Sequence, residues 1–281
     1  MTTEETSISW NGESVLLSQL LKKYEDKLES VYSCNIPDRK TPMENFSYHV
    51  TSWAKPAVKS AKPKVLIPAF PGTNCEYDSA KAVRDAGAEP EIIVINNLSA
   101  DGISRSVDLF AQKLKTAQMV FIPGGFSGGD EPDGSGKFIV NVLNNKVITD
   151  AIHALLDRGG LILGICNGFQ ALVKSGLLPY GRLGQVVKES PTLFRNDINR
   201  HISQIVSTRV ATTNSPWLSS FELGEQHSIA VSHGEGKFVV SDEMAEQLFA
   251  NGQVAFQYVD PAGEATLCAP YNPNGSSYGI E

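Results

Sequence analysis

Short apolar runs alternate with amphipathic segments between residues 64 and 173. Runs of Val, Leu, Ile and Phe are typical of strands buried in a parallel sheet, and apolar residues three or four positions apart are typical of helices. The pattern predicts strands at 65–70, 91–95, 119–122 and 161–164, and helices from about 80 to Gly87 and at 107–114, 137–143 and 148–156. Strands separated by helices require right-handed crossovers, which predicts an α/β fold with a doubly wound, mostly parallel sheet.

The first 62 residues lack this alternation. Asn11-Gly12 predicts a turn, and apolar residues at helical spacing predict one amphipathic helix from Val15 to Tyr32. The stretch from Pro37 to Pro63 is polar and irregular. We therefore expect residues 1–62 to form an N-terminal helical arm and linker that packs on, or enters from, another structure, and residues 63–281 to form the main domain.

Composition narrows the class of protein. The chain of 281 residues has a formal charge of −7, a pI near 5.3 and no basic cluster, which argues against a nucleic-acid partner. Residues 1–5 carry no basic start before an apolar core, and no apolar run is long enough to cross a bilayer, so we expect a cytoplasmic protein without a membrane partner. The four cysteines, at positions 34, 75, 166 and 268, form no C-x-x-C pair and predict free thiols rather than a disulfide or metal framework.

Cys166 lies at the end of an apolar run and between two glycines, Gly164 and Gly168. A helical pattern follows directly, so Cys166 is predicted on a strand-to-helix turn. Such an elbow needs small neighbours and points backbone amides and a helix N-terminus at the sulfur, which lowers the pKa of a thiol and stabilises an oxyanion. The alternative is a buried structural cysteine at a tight turn.

Two further strand ends are expected at the same edge of the sheet. The glycine-rich run 123–130 leaves a strand with unobstructed amides, as an oxyanion hole requires, although such turns are also common without a function. Cys75 is a competing nucleophile, but its turn favours a helix-cap position. The acidic loop 127–136 does not match the spacing of an EF-hand, which favours a solvated or partner-facing loop.

A thiol nucleophile needs a base, normally a histidine oriented by a carboxylate. His233 is the most conspicuous of the five histidines because Glu235 follows two residues later. In an extended segment these two side chains share a face, so they are predicted either as base and orienter or as a structural pair. His49 lies in the linker, His153 lies in a helical pattern, and the two others, His201 and His227, have no strong local context.

Four ordered motifs carry a family resemblance. They are Pro123-Gly124-Gly125-Phe126-Ser127, Gly164-Ile165-Cys166-Asn167-Gly168-Phe169-Gln170, Ala230-Val231-Ser232-His233-Gly234-Glu235-Gly236 and Asn272-Pro273-Asn274-Gly275-Ser276. Residues 63–281 resemble the glutaminase domains of phosphoribosylformylglycinamidine synthases, which are class I glutamine amidotransferases of flavodoxin-like fold. Residues 1–62 resemble the segment that joins the synthetase portion to the glutaminase in the single-chain form of these enzymes.

The resemblance implies a role for each motif residue. Cys166 would be the catalytic nucleophile that attacks the side-chain amide of glutamine and leaves a glutamyl thioester. The amides of Gly125 and Asn167 would form the oxyanion hole. Glutamine-binding positions would be Gln170, Gly124 and Phe126, of which Gly124 and Phe126 are also alternative oxyanion donors.

The resemblance also implies partners and an incomplete site. The glutaminase would bind no cofactor, and ATP and Mg²⁺ would act in the synthetase portion, which uses the ammonia to convert formylglycinamide ribonucleotide into its amidine during purine biosynthesis. In this family a His-x-Glu run follows the Asn-Pro-Asn-Gly-Ser motif, whereas this sequence stops at Glu281. We therefore expect a C-terminally incomplete glutaminase that is poorly active alone. His233 and Glu235 match a different family motif and would be structural or secondary, with participation of His233 left open.

Two other classes of function remain open at this stage. A cysteine hydrolase or a glyoxalase- or chaperone-like protein can use the same elbow, and would need an acidic residue near the thiol. A noncatalytic docking module on the same sheet predicts no thiol reactivity above background.

Overall fold

The computed structural model describes residues 6–33, 39, 43–50, 59–129 and 134–281. Its N-terminal arm begins with a hairpin of strands β1 (Ser7–Trp10) and β2 (Glu13–Leu16), followed by helix α1 (Leu17–Glu25) and a 3₁₀ turn at Asp26–Leu28. The prediction of one helix from Val15 to Tyr32 is wrong. Asn11 and Gly12 both have positive φ, 49° and 83°, which is the geometry of a tight hairpin, so Val15 pairs with Ile8 in a strand. Cys34 lies outside the described residues.

A four-stranded parallel sheet forms the centre of the main domain, and the prediction of an α/β fold with a doubly wound parallel sheet is confirmed. The strands run in the order β4-β3-β5-β6. In chain order the elements are β3 (Lys64–Ala69), α2 (Glu76–Asp85), β4 (Glu89–Val94), α3 (Ala100–Leu114), β5 (Met119–Ile122), α4 (Lys137–Leu143), α5 (Lys146–Asp157), β6 (Leu161–Gly164) and α6 (Asn167–Lys174).

Helices cover both faces of this sheet. On β3, Val65 and Ile67 pack with Val83 of α2, whereas Leu66 lies in the larger core with Phe110 of α3. Successive residues of a strand point to opposite faces, so these two clusters lie on the two sides of the sheet. The apolar runs of the sequence reflect this burial on both faces.

A second, antiparallel layer follows α6. Its elements are α7 (Leu177–Tyr180), β7 (Thr192–Phe194), β8 (Ile202–Val210), β9 (Gln226–His233), β10 (Lys237–Val239), α8 (Asp242–Ala250) and β11 (Phe256–Tyr258). Strands β11, β8 and β9 form one sheet, and β7 pairs with β10. Of these strands, the sequence pattern predicts only the one that precedes His233, because the others are short or half polar. No helix of the described segments is long and apolar enough to span a membrane.

Residues 43–50 of the linker pack on the main domain. The N–H of Tyr48 donates to the carbonyl of Ala211 at 2.9 Å, and the N–H of Phe46 donates to Gln257 Oε1 at 3.0 Å. The rings of Phe46 and Phe249 stack with their centroids 3.6 Å apart. This part of the predicted linker therefore packs on its own chain, whereas the boundary at residue 62 stays a prediction.

We expect Phe46→Ala to lower the free energy of unfolding by about 2 kcal/mol, because it removes a half-buried ring and an aromatic pair. Chemical denaturation measures the change. Tyr24→Ala is the matched control, since Tyr24 is 82% exposed and its loss is expected to cost less than about 0.5 kcal/mol. Equal stabilities of the two variants would contradict the packing of residues 43–50 on the domain.

Candidate active site

Cys166 occupies a strained turn between β6 and α6. Its backbone has φ 53° and ψ −113°, a conformation that side chains other than glycine rarely adopt. Strand β6 ends two residues earlier and α6 begins at the next residue, so the thiol is exposed at the N-terminus of the helix. This is the geometry that places a nucleophile above the carboxyl edge of a parallel sheet.

Close backbone contacts explain the glycines around the elbow. A Cβ on Gly168 would lie 2.1 Å from the carbonyl oxygen of Ile122 at the end of β5. A Cβ on Gly164 would lie 2.7 Å from the backbone of Gly168, and one on Gly124 would lie 3.1 Å from Cβ of Cys166. The elbow therefore requires small residues on both sides and in the neighbouring loop.

In the glycine-rich loop after β5, the amides of Gly124 and Gly125 remain available within the described part of the chain, whereas the amide of Phe126 does not. Asn74 N–H donates to the carbonyl of Gly124 at 3.1 Å, and Phe126 N–H donates to the carbonyl of Gly72 at 2.8 Å. The amide of Phe126 is therefore occupied, which argues against it as the oxyanion donor. The N–H of Gly125 donates to no acceptor in the described part of the chain.

Two buried side chains on α6 join the elbow to both neighbouring loops. Asn167 Oδ1 accepts a hydrogen bond from Ser127 N–H at 3.1 Å, and its Nδ2 donates to Gln170 Oε1 at 3.0 Å. Gln170 Nε2 in turn donates to the carbonyl of Glu235 at 2.8 Å. The amide of Gln170 is thus used to hold the loops together, and its direct contact with glutamine stays a prediction.

Cys75 has an environment that disfavours the thiolate. It is the N-cap residue of α2, although its side chain makes no capping hydrogen bond. Burial raises the pKa of the Cys75 thiol, and the negative charges of Asp78, Cys166 and Glu76 raise it further. A thiol with a raised pKa is a weaker nucleophile near pH 7.

One cavity of about 420 Å³ brings most of the predicted site residues together. The elbow, the glycine-rich loop and the antiparallel layer each supply part of its wall. The lining residues are Gly125, Phe126, Gly129, Ser135, Cys166, Gln170, Arg195, Asn199, Arg200, His201, Ser232, His233, Gly234 and Glu235. The antiparallel layer therefore supplies half of a site that the parallel sheet alone would leave open.

His233 and Glu235 line this cavity without bonding to each other. Strand β9 ends at His233, so the backbone turns before Glu235 and the two side chains do not share a strand face. Within the described residues His233 Nδ1 has no hydrogen-bond partner, and burial lowers the pKa of the ring. Glu235 Oε2 instead accepts from Ser135 N–H at 3.0 Å and from Lys174 Nζ at 3.1 Å. The predicted arrangement of base and orienter is therefore not formed.

The environment of Glu235 keeps its carboxylate charged. Burial by itself would raise the pKa of Glu235, but the Ser135 N–H and the Lys174 ammonium outweigh burial and hold the pKa below its ordinary value. The negative charge lies 11% exposed, so its ion pair is only partly screened by water.

Two buried asparagines, Asn196 and Asn274, fix the turn at 233–236. Asn196, only 1% exposed, donates to the carbonyls of His233 and Arg200 at 2.8 and 2.9 Å and accepts from Gly236 N–H at 3.1 Å. From the Asn-Pro-Asn-Gly-Ser motif, Asn274 Nδ2 donates to the carbonyl of Gly236 at 3.1 Å. Asn196 is not among the predicted site residues, because an asparagine in a turn carries no signal of burial.

The described residues contain no cluster of three or more His, Cys, Asp or Glu side chains that would hold a metal ion. Residues 130–133 of the acidic loop lie outside them, so the prediction of a solvated or partner-facing loop stays a prediction.

Comparison with known proteins links this geometry to a family. Residues 62–281 match the family model described as a CobB/CobQ-like glutamine amidotransferase domain. The phosphoribosylformylglycinamidine synthase subunit PurQ of Methanococcus maripaludis (strain C5) is 35% identical over 221 residues, which cover 78% of this chain and 76% of that protein. The subunit of the same name from Treponema denticola is 35% identical over 228 residues, with 76% and 80% covered.

A solved structure supports the same assignment. The structure of PurLQS from Thermotoga maritima matches with a TM-score of 0.54 and 26% identity. The match covers 78% of this chain and 80% of that one.

We expect a glutamine-like chloroketone to label Cys166 faster than Cys75 and Cys268. Cys166 lies exposed at a helix N-terminus, whereas the pKa of Cys75 is raised. Peptide mass spectrometry at limiting reagent measures the order of labelling. Faster labelling of Cys75 would refute the elbow as the reactive position.

We expect Gly168→Ala and Gly164→Val to slow labelling of Cys166, because each added Cβ meets backbone atoms of the elbow. The matched control is Gly234→Ala, whose added Cβ meets no atom within 4 Å. Circular dichroism establishes that each variant remains folded. Unchanged labelling in folded Gly168→Ala would show that the turn tolerates the methyl group.

Proposed function

The chain belongs to the CobB/CobQ-like glutamine amidotransferase family, and we propose that it is the glutaminase part of a phosphoribosylformylglycinamidine synthase. The enzyme uses glutamine as the source of ammonia for the ATP-dependent conversion of formylglycinamide ribonucleotide into formylglycinamidine ribonucleotide in purine biosynthesis. The relatives named PurQ support this assignment. The single structural observation that carries the chemistry is Cys166 in the strained turn above the cavity.

Cys166 acts as the nucleophile. Its sulfur attacks the side-chain carbonyl carbon of glutamine, the carbon–nitrogen bond breaks, and ammonia leaves with a proton from a general acid. Water then hydrolyses the glutamyl thioester to glutamate and restores the thiol. The negative oxygen formed in each step accepts hydrogen bonds from the backbone amides of Gly125 and Asn167, and the unoccupied N–H of Gly125 supports this role.

His233 has a secondary part in this mechanism. Burial keeps its ring neutral, and among the described residues no carboxylate orients it. A neutral ring in the cavity wall can accept or pass on a proton, but an efficient base needs a fixed tautomer. The acid and base of the family's His-x-Glu run would therefore carry most of the proton transfer.

The ammonia passes to a synthetase partner. The relatives are named as subunits of phosphoribosylformylglycinamidine synthase, and a matching solved structure carries the name PurLQS, which supports partnership of this chain with a synthetase portion. Glutamine binds in this domain without a cofactor, and ATP and Mg²⁺ bind in the synthetase portion. A role in nucleotide biosynthesis fits a cytoplasmic location.

The two alternative classes of function are not favoured. The family match extends over residues 62–281 and includes both layers of the fold, whereas a shared elbow alone would account only for the parallel sheet. A noncatalytic docking module would have no use for an exposed cysteine in a strained backbone conformation.

We expect Cys166→Ser to reduce glutamine-dependent amidine formation by about 10³-fold or more when the chain, extended by the family's His-x-Glu run, is assembled with its synthetase partner. Activity with ammonium salts in place of glutamine should stay unchanged, because the synthetase then needs no glutaminase. Product formation with each nitrogen donor measures the two activities. Loss of both activities would point to a failure of assembly.

Two further variants complete this test. Cys75→Ser should retain most of the glutamine-dependent activity, and His233→Ala should retain more of it than Cys166→Ser. A chain in which His233→Ala is as inactive as Cys166→Ser would make His233 the principal base.

A further inference from the structure

The cavity that contains Cys166 carries opposite charges on its antiparallel wall. Its lining residues include Arg195 and Arg200, whose side chains carry guanidinium groups, and Glu235, whose side chain carries a carboxylate. Free glutamine is a zwitterion, with an ammonium and a carboxylate at the end opposite its reactive amide. A site for the free amino acid must match both charges, because a charged group that loses water without a partner is strongly disfavoured.

Arg200 is held in place by the N-terminal arm. Its guanidinium lies over the ring of Tyr32, 4.4 Å from the centroid, and its Nη1 donates to the carbonyl of Ser33. The backbone carbonyl of Arg200 accepts a hydrogen bond from buried Asn196. Both ends of the residue are thus fixed, and a fixed guanidinium loses little freedom when it binds a planar carboxylate through two N–H groups.

Glu235 is fixed in a comparable way. The bonds from Ser135 N–H and Lys174 Nζ both end on Oε2. Oε1 of the same carboxylate accepts neither of these two bonds. The carbonyl of Glu235 also accepts from Gln170, which ties this turn to the helix that begins beside Cys166.

We propose that Arg200 binds the α-carboxylate of glutamine and Glu235 binds its α-ammonium group, so that these two residues select the free amino acid and direct its amide to Cys166. This assignment rests on the proposed function, since it takes glutamine as the substrate. It makes the arm part of the substrate site, because Tyr32 and Ser33 hold Arg200.

The test compares the rates at which three related chloroketones alkylate Cys166 in the full chain. The first carries both α-groups of glutamine, the second lacks the carboxylate, and the third lacks the amino group. Iodoacetamide serves as a reagent without either group. Alkylation needs no synthetase partner and no turnover, so it measures recognition apart from catalysis.

We expect Arg200→Gln to slow alkylation by the complete reagent about 10- to 100-fold, which is the usual effect of losing one hydrogen bond to a charged group. With the reagent that lacks the carboxylate, the Arg200→Gln variant should be alkylated at the same rate as the unmodified chain. Glu235→Gln should likewise slow alkylation by the complete reagent, and it should leave the rate with the reagent that lacks the amino group unchanged.

Two matched controls separate recognition from structure. Lys174→Gln removes the ion pair of Glu235 but keeps its carboxylate, and Arg195→Gln removes the other positive charge of the cavity. Both controls should preserve the preference for the complete reagent over the two truncated reagents. Loss of that preference in Arg195→Gln, together with its retention in Arg200→Gln, would overturn the assignment of the carboxylate to Arg200.

Other outcomes also decide the question. If Arg200→Gln or Glu235→Gln slows all reagents equally, iodoacetamide included, the residue acts only on the structure of the elbow and the proposal is refuted for it. If the unmodified chain shows no preference for the complete chloroketone over iodoacetamide at Cys166, glutamine itself is not the ligand. That result would contradict the proposed function and, with it, the assignment of Arg200 and Glu235 to glutamine, whereas the outcomes for the variants test the assignment alone.

Discussion

The backbone of Cys166 is the constraint on which the rest of the site depends. A residue with a side chain at φ 53° is held there only when its surroundings permit no relaxed alternative. The carbonyl of Ile122 and the backbone of Gly168 approach so closely that the turn has no room to relax. The parallel sheet provides this rigidity, because β5 and β6 are paired over their whole length beneath the turn.

The position of the antiparallel layer depends in turn on hydrogen bonds from the helix that follows the elbow. Gln170 lies on the helix after Cys166 and donates a hydrogen bond to the carbonyl of Glu235. Asn196 and Asn274 bind the same turn through the backbone of Gly236. Buried amide side chains with several partners stabilise one arrangement strongly, since any displacement leaves polar atoms unpaired. The position of the charged wall relative to the thiol is therefore set by these hydrogen bonds together with apolar packing, in which Phe169 of α6 lies against the cluster that contains Leu193 and Phe238.

The N-terminal residues contact the antiparallel layer at two places. Phe46 and Tyr48 pack on the antiparallel layer, and Tyr32 lies against Arg200 at the cavity. Residues 43–50 belong to a stretch whose sequence is polar and irregular, and their position is set by the surface that they cover. Substitutions in the arm that remove its contacts with Arg200 are therefore expected to change the position of Arg200 at the cavity.

The sequence by itself determined the parallel sheet, the glycine-rich loop and the elbow, because each is a local pattern. A doubly buried strand requires a continuous apolar run, and a close approach requires glycine. The sequence also carried the family resemblance. Only the tertiary structure decided that Phe126 N–H is occupied, that His233 and Glu235 do not pair, and that Asn196 is a buried link. These facts depend on contacts between residues far apart in the chain, and a one-dimensional pattern does not encode which distant atoms meet.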